Sequence, residues 1–127
     1  MSVADKFTLQ TENFSVEGSI TSITNTPNGV TANVTAKAGH YGKVYLTYNF
    51  LTNPKHDTQG SVTGIARTVE DSGESNEAIR NGVWTRDGHV ITVYSLDDVT
   101  DGVINFCVEI WDLREDSIKM DFSRVQK

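Results

Sequence analysis

In the run Val103-Ile-Asn-Phe-Cys-Val-Glu-Ile-Trp111, an amide, a thiol, a carboxylate and an indole recur at every second position. A strand turns successive side chains to opposite faces, so Asn105, Cys107, Glu109 and Trp111 share one face. Ile104, Phe106, Val108 and Ile110 take the other. A carboxyl held beside a tryptophan in an apolar cavity is driven toward its neutral form by desolvation. It then suits general acid or base work near neutral pH. That chemistry requires the Glu109 face to be the inner one. The opposite stripe is the more apolar and would make a core by itself, leaving Glu109 in solvent, where Glu normally lies. Both faces stay open. On the inward reading, Glu109→Gln is expected to keep the fold, abolish an acid/base step and raise stability at neutral pH.

Two tyrosines are candidates to act with Glu109. Tyr48 alternates with Val44, Leu46 and Phe50, and Tyr94 with Val90 and Leu96, on faces that read as inward. Hydroxyls there would orient a ligand carbonyl or stabilise an enolate; plain packing with one bonded hydroxyl is the alternative. Trp111, Asn105, Phe50 and Phe106 are the expected ligand wall. Arg67 and Asn81 alternate with Ile65, Val69, Ile79 and Val83, so they either project inward near one mouth or form a rim salt bridge.

Other chemistry is argued against. Asp97-Asp98-Val99-Thr100-Asp101 mimics the Asp-Asp-x-x-Asp string that holds magnesium, but that string works on a helix, where positions i and i+4 share a face. Here it lies between two strands and ends at Gly102, so it reads as a solvated connection, with a weak surface Ca²⁺ site as the alternative. His40, His56 and His89 sit in or beside turns, with no His-x-His and no His-Glu-x-x-His. No metal and no cofactor are expected. Cys107 has no basic neighbour in sequence to lower its pKa and reads as an inert small hydrophobe.

These residues must be positioned by strands. Val30 to Lys37 alternates small apolar with polar residues, and Lys43–Thr52 does the same with larger ones. Further β-rich runs cover Lys6–Val16 (with a break near Gly18), Gly60–Glu70, Ile79–Arg86, His89–Leu96, Val103–Leu113 and Ser117–Val125. Turn signals separate them, among them Thr26-Pro-Asn-Gly29 and Arg86-Asp-Gly-His89. Linkers this short allow hairpins only, because parallel crossovers need a dozen or more residues. The expected fold is all-β: an antiparallel meander of about eight strands in one domain spanning 1–127, closed into a small barrel, with a β-sandwich as the alternative.

Composition narrows the partners. The chain has 127 residues, 11 Lys+Arg against 17 Asp+Glu, and a net charge of −6. That balance argues against nucleic acid, which is bound by displacing phosphate counterions with Lys and Arg. No run approaches the ~18 apolar residues of a membrane span. The absence of a basic-then-apolar leader and the single cysteine fit a cytoplasmic protein.

Gly42–Phe50, Gly60-Ser-Val-Thr-Gly64, and Gly82-Val-Trp84 followed by the Asp87-Gly88 hairpin give the chain a resemblance in architecture. It resembles the small eight-stranded barrels of the calycin and allene-oxide-cyclase/dirigent groups. The resemblance implies a lumen able to hold a small, largely apolar molecule, used for binding or for isomerase or cyclase chemistry.

Three functions compete. The first is a cofactor-independent isomerase or cyclase acting on a hydrophobic, oxygenated metabolite. The second is a carrier using the same lumen, and the third an interaction protein whose barrel is solidly packed. Small residues at Val30, Ala32, Val34 and Ala36 favour space in the lumen. Apolar residues on both faces of several strands (Tyr45 and Leu51, Ile91 and Val93, Trp84) point to a homodimer or other homo-oligomer.

Overall fold

The computed structural model describes residues 2–10 and 14–126. Eight strands follow one another: β1 (Phe14–Thr26), β2 (Gly29–Lys37), β3 (Lys43–Asn53), β4 (His56–Val69), β5 (Glu77–Asp87), β6 (Val90–Val99), β7 (Ile104–Asp112) and β8 (Ser117–Arg124). Each pairs antiparallel with the next, and β1 pairs with β8, so the meander closes into a barrel. Closure works because β1 is long. Its first half pairs with β8 from Phe14↔Phe122 to Ser19↔Ser117, and its second half pairs with β2 across a register shift between Ile20 and Ser22.

The sequence places most of these strands, with differences at three of them; β4 begins at His56, before the expected Gly60, and β1 runs on past Val16 to Thr26. The run from Lys6 does not form a strand at 6–10; Leu9 makes a single bridge to Val125, and residues 11–13 lie outside the described residues. β6 extends three residues beyond the expected Leu96, so Asp97 and Asp98 are strand residues rather than a solvated connection.

The lumen is divided along its length. At one end Phe50 stands edge-on to Trp111 (5.1 Å) and to Trp84 (6.3 Å), and these rings plug the barrel. Trp84 Nε1 donates to the Leu51 carbonyl at 3.1 Å, capping the plug. Toward the other end the inward residues become small: Ala36 on β2, Ala66 on β4 and Ala78 on β5. Gly82 permits close approach on β5, since a Cβ there would stand 1.8 Å from the Tyr94 carbonyl oxygen.

The facing of β5, β6 and β7 inverts the hydrophobic pattern. On β7 the polar face is inside: Asn105, Cys107, Glu109 and Trp111 are buried, while Ile110 is exposed and Phe106 sits outside the barrel, edge-on to Phe7. On β6, Ile91, Val93, Ser95 and Asp97 face in. Tyr94 and Leu96, expected inside, are 40% and 47% exposed. On β5, Arg80 and Trp84 face in, while Ile79, Asn81 and Val83 face solvent. Ile91, Val93 and Trp84 are thus lumen residues and not part of an outer apolar face. Arg67 also faces out, with Nε 3.0 Å from Glu77 Oε1 in an exposed ion pair. An exposed pair of this kind contributes ~0–1 kcal/mol.

Candidate functional site

Arg80, at the middle of β5, carries the only buried positive charge among the described residues. Its Nε donates to Asp97 Oδ1 (3.0 Å), Nη1 to the Tyr48 hydroxyl (2.6 Å), and Nη2 to Ser95 Oγ (3.0 Å) and Glu109 Oε2. The strand register makes this possible. Arg80 lies opposite Asp97 on β6 and opposite Gly64 on β4, and the missing side chain at Gly64 leaves its near flank open. The guanidinium also stands 5.2 Å from the Tyr48 ring centroid.

Glu109 is fully buried and receives donors on both oxygens. Oε1 accepts from the Tyr48 hydroxyl (2.8 Å) and Trp111 Nε1 (2.9 Å); Oε2 accepts from Arg80, with the Cys107 thiol at 3.5 Å. Burial opposes the charge on Arg80, but Glu109, Tyr48 and Asp97 outweigh it and raise its pKa. The Tyr48 hydroxyl is pushed well above its ordinary 10.0, by burial first, with the Glu109 carboxylate adding and Arg80 opposing. Burial, then Glu109, raises the Cys107 thiol in the same way, which suits an inert residue. Tyr48, Glu109 and Trp111 together form a braced layer beneath the space of the lumen.

That space is a cavity of about 80 Å³ between the plug and the open end. Its walls are mostly apolar, from Val44, Leu46, Ala66, Val99, Met120 and Phe122. Its polar floor is Arg80, Asp97 and Asn105, and its mouth carries Tyr41, Thr68, Asn76 and Glu77. Glu109 and Tyr48 do not line it; the buried carboxyl that does is Asp97, with the exposed Glu77 at the mouth. Asp97 is 8% exposed, and its Oδ1 accepts from Arg80 Nε and from Ser95 Oγ at 2.9 Å. Its Oδ2 has no partner among the described residues. Since no fully enclosed side-chain oxygen is left unpartnered there, this atom borders the cavity. Burial raises the Asp97 pKa above its ordinary 3.8 despite the opposing Arg80 charge and the bonds from Arg80 and Ser95. At the mouth, the Tyr41 hydroxyl donates to Asp101 at 2.9 Å, and burial followed by that bond pushes its pKa up to about 12.

Of the residues singled out in the sequence, the structure brings Glu109, Tyr48 and Trp111 together, with Phe50 stacked on Tyr48 at 5.8 Å, and places Asn105 at the cavity floor. Tyr94, Arg67 and Phe106 lie outside the barrel. Arg80 and Asp97 were missed. Their signal was the continuation of Ile91-Val93 to Ser95-Asp97, and of Trp84 back to Arg80, at period two. No group of His, Cys, Asp and Glu able to hold a metal occurs among the described residues. No protein-family model, curated protein or solved structure matches this chain.

Two stability effects follow. The geometry reverses the expectation for Glu109→Gln: the amide withdraws the charge that holds Arg80 and should destabilise the fold by about 3–5 kcal/mol. Urea unfolding reads this, and an unchanged or higher midpoint contradicts it. Asp97 behaves oppositely. Its folded pKa lies above its unfolded value, so its contribution is full below pH 3.8 and is lost as pH rises through the folded pKa. Asp97→Asn should therefore be more stable than the natural chain at neutral pH, with the difference closing on acidification. A difference independent of pH contradicts that.

Proposed function

We propose that the protein binds one end of a small, largely apolar molecule in its lumen, with a polar head seated on Asp97, Arg80 and Asn105. The observation that carries this reading is the unpartnered Asp97 Oδ2 at the floor of an otherwise apolar cavity. A site that fixes orientation with few polar groups among apolar walls is the usual form of a small-molecule pocket. The size sets the ligand's shape. At about 80 Å³ the cavity is smaller than the ~150 Å³ that holds a benzene ring, so it encloses a head while the remainder leaves through the mouth. The interaction-protein reading is weaker, because packing fills only the aromatic end. A catalytic use of the same lumen, an isomerisation or cyclisation without cofactor, would fall to Asp97 rather than Glu109. Solvent deuterium entering a bound ligand would report it, and no exchange would leave a carrier.

Ala66→Phe fills the cavity from β4. The native mass spectrum of freshly purified protein is expected to carry a small adduct that Ala66→Phe loses. A spectrum unchanged by the substitution counts against a lumen site.

We also propose self-association through the outer face of β4 to β7. Ile65 pairs with Ile79, Val83 with Tyr94, and Tyr94 with Val108, making an apolar patch poor in charge, interrupted by Asn81 between Ile79 and Val83 and bordered by Asp98 opposite Ile79. A second copy suits it, since a chain of net charge −6 can approach its like only through a patch poor in charge. Sedimentation at micromolar concentration should show a species above 14.0 kDa that Val83→Lys reduces to monomer. A monomer throughout contradicts it.

A further inference from the structure

The lumen holds two carboxyls, Asp97 and Glu109, against one guanidinium. Arg80 is the sole basic residue among those lining the cavity, and it already bonds Asp97, Tyr48, Ser95 and Glu109. Glu109 takes the fully enclosed contact with Arg80, together with the Tyr48 and Trp111 donors. Asp97 shares only one of its oxygens and keeps the other toward the cavity. One negative charge is therefore left over at the cavity floor when both carboxyls are ionised. The remaining polar groups around the space, Tyr41, Asn105, Thr68, Asn76 and Glu77, bring no positive charge to meet it.

On the reading that the lumen binds a ligand head, we propose that this head is a cation with N–H donors, an alkylammonium or amidinium, bonded to Asp97 Oδ2. A buried, half-partnered carboxylate is costly by itself. An incoming ammonium supplies both the countercharge and the missing donor, and charge-assisted bonds are roughly twice as strong as neutral ones. A carboxylate head is disfavoured, because it would meet two like charges across a single arginine already engaged with both. A hydroxyl head satisfies the open oxygen but leaves the charge uncompensated. The apolar walls of Leu46, Val99 and Met120 then take the carbon chain next to the head.

The test is an NMR titration of the full chain with n-hexylamine, n-hexanol and hexanoate, which share one chain and differ in the head. Hexylamine should bind at least about tenfold more tightly than hexanol, with hexanoate weakest. Asp97→Asn should remove the amine's advantage over hexanol, and Ala66→Phe should abolish binding of all three. Equal affinity for amine and alcohol, or an amine preference that survives Asp97→Asn, overturns the inference while the lumen site stands. Binding of none of the three, or binding indifferent to Ala66→Phe, overturns the lumen site along with it.

Discussion

A guanidinium inside a barrel of 127 residues is the constraint around which the rest is arranged. Removing such a charge from water carries a penalty of several kcal/mol, met only when every surrounding group is a partner. Arg80 obtains partners from three other strands: Tyr48 from β3, Ser95 and Asp97 from β6, and Glu109 from β7. Each of those must face inward, and a strand's facing is set as a whole, since a one-residue slip would send every side chain to the opposite face. The cluster thus fixes the phase of β5, β6 and β7 together.

Two consequences run in opposite directions from that choice. Inside, the polar layer separates an aromatic plug at Phe50, Trp84 and Trp111 from an alanine-walled cavity, and leaves one carboxylate oxygen of Asp97 at the boundary. Outside, the apolar residues displaced from the lumen face solvent: Ile79 is 59% exposed and Val83 55%. An apolar outer surface and a charged interior are one event seen from its two sides.

The same event explains what the sequence made legible. The eight strands, their antiparallel order and closure follow from alternation and short turns, and those signals do not depend on which face is inside. Facing does depend on it. β2 and β3 read correctly because Val34, Leu46 and Phe50 oppose plainly polar neighbours. On β7 both faces are apolar enough to serve as core and its facing stays open, whereas on β6 the polar Ser95 and Asp97 tip the reading toward Tyr94 and Leu96. Tyr94 reads as inward for that reason, and Phe106 stays a candidate only while the facing of β7 is open. The pairing that decides the matter, Arg80 with Glu109, spans 29 residues, and no local pattern reports it. Asp97 was concealed by Asp98 and Asp101, which lend it the look of a loop.

The central claim is that Asp97 is the half-partnered member of the buried cluster. Its most direct measurement is a carbon-13 NMR titration of the side-chain carboxyls in the natural chain and in Asp97→Asn. One aspartate should titrate above the ordinary 3.8, and that resonance should be missing from the variant. If every aspartate titrates in the ordinary range, or the raised one survives the substitution, the account of the lumen is wrong.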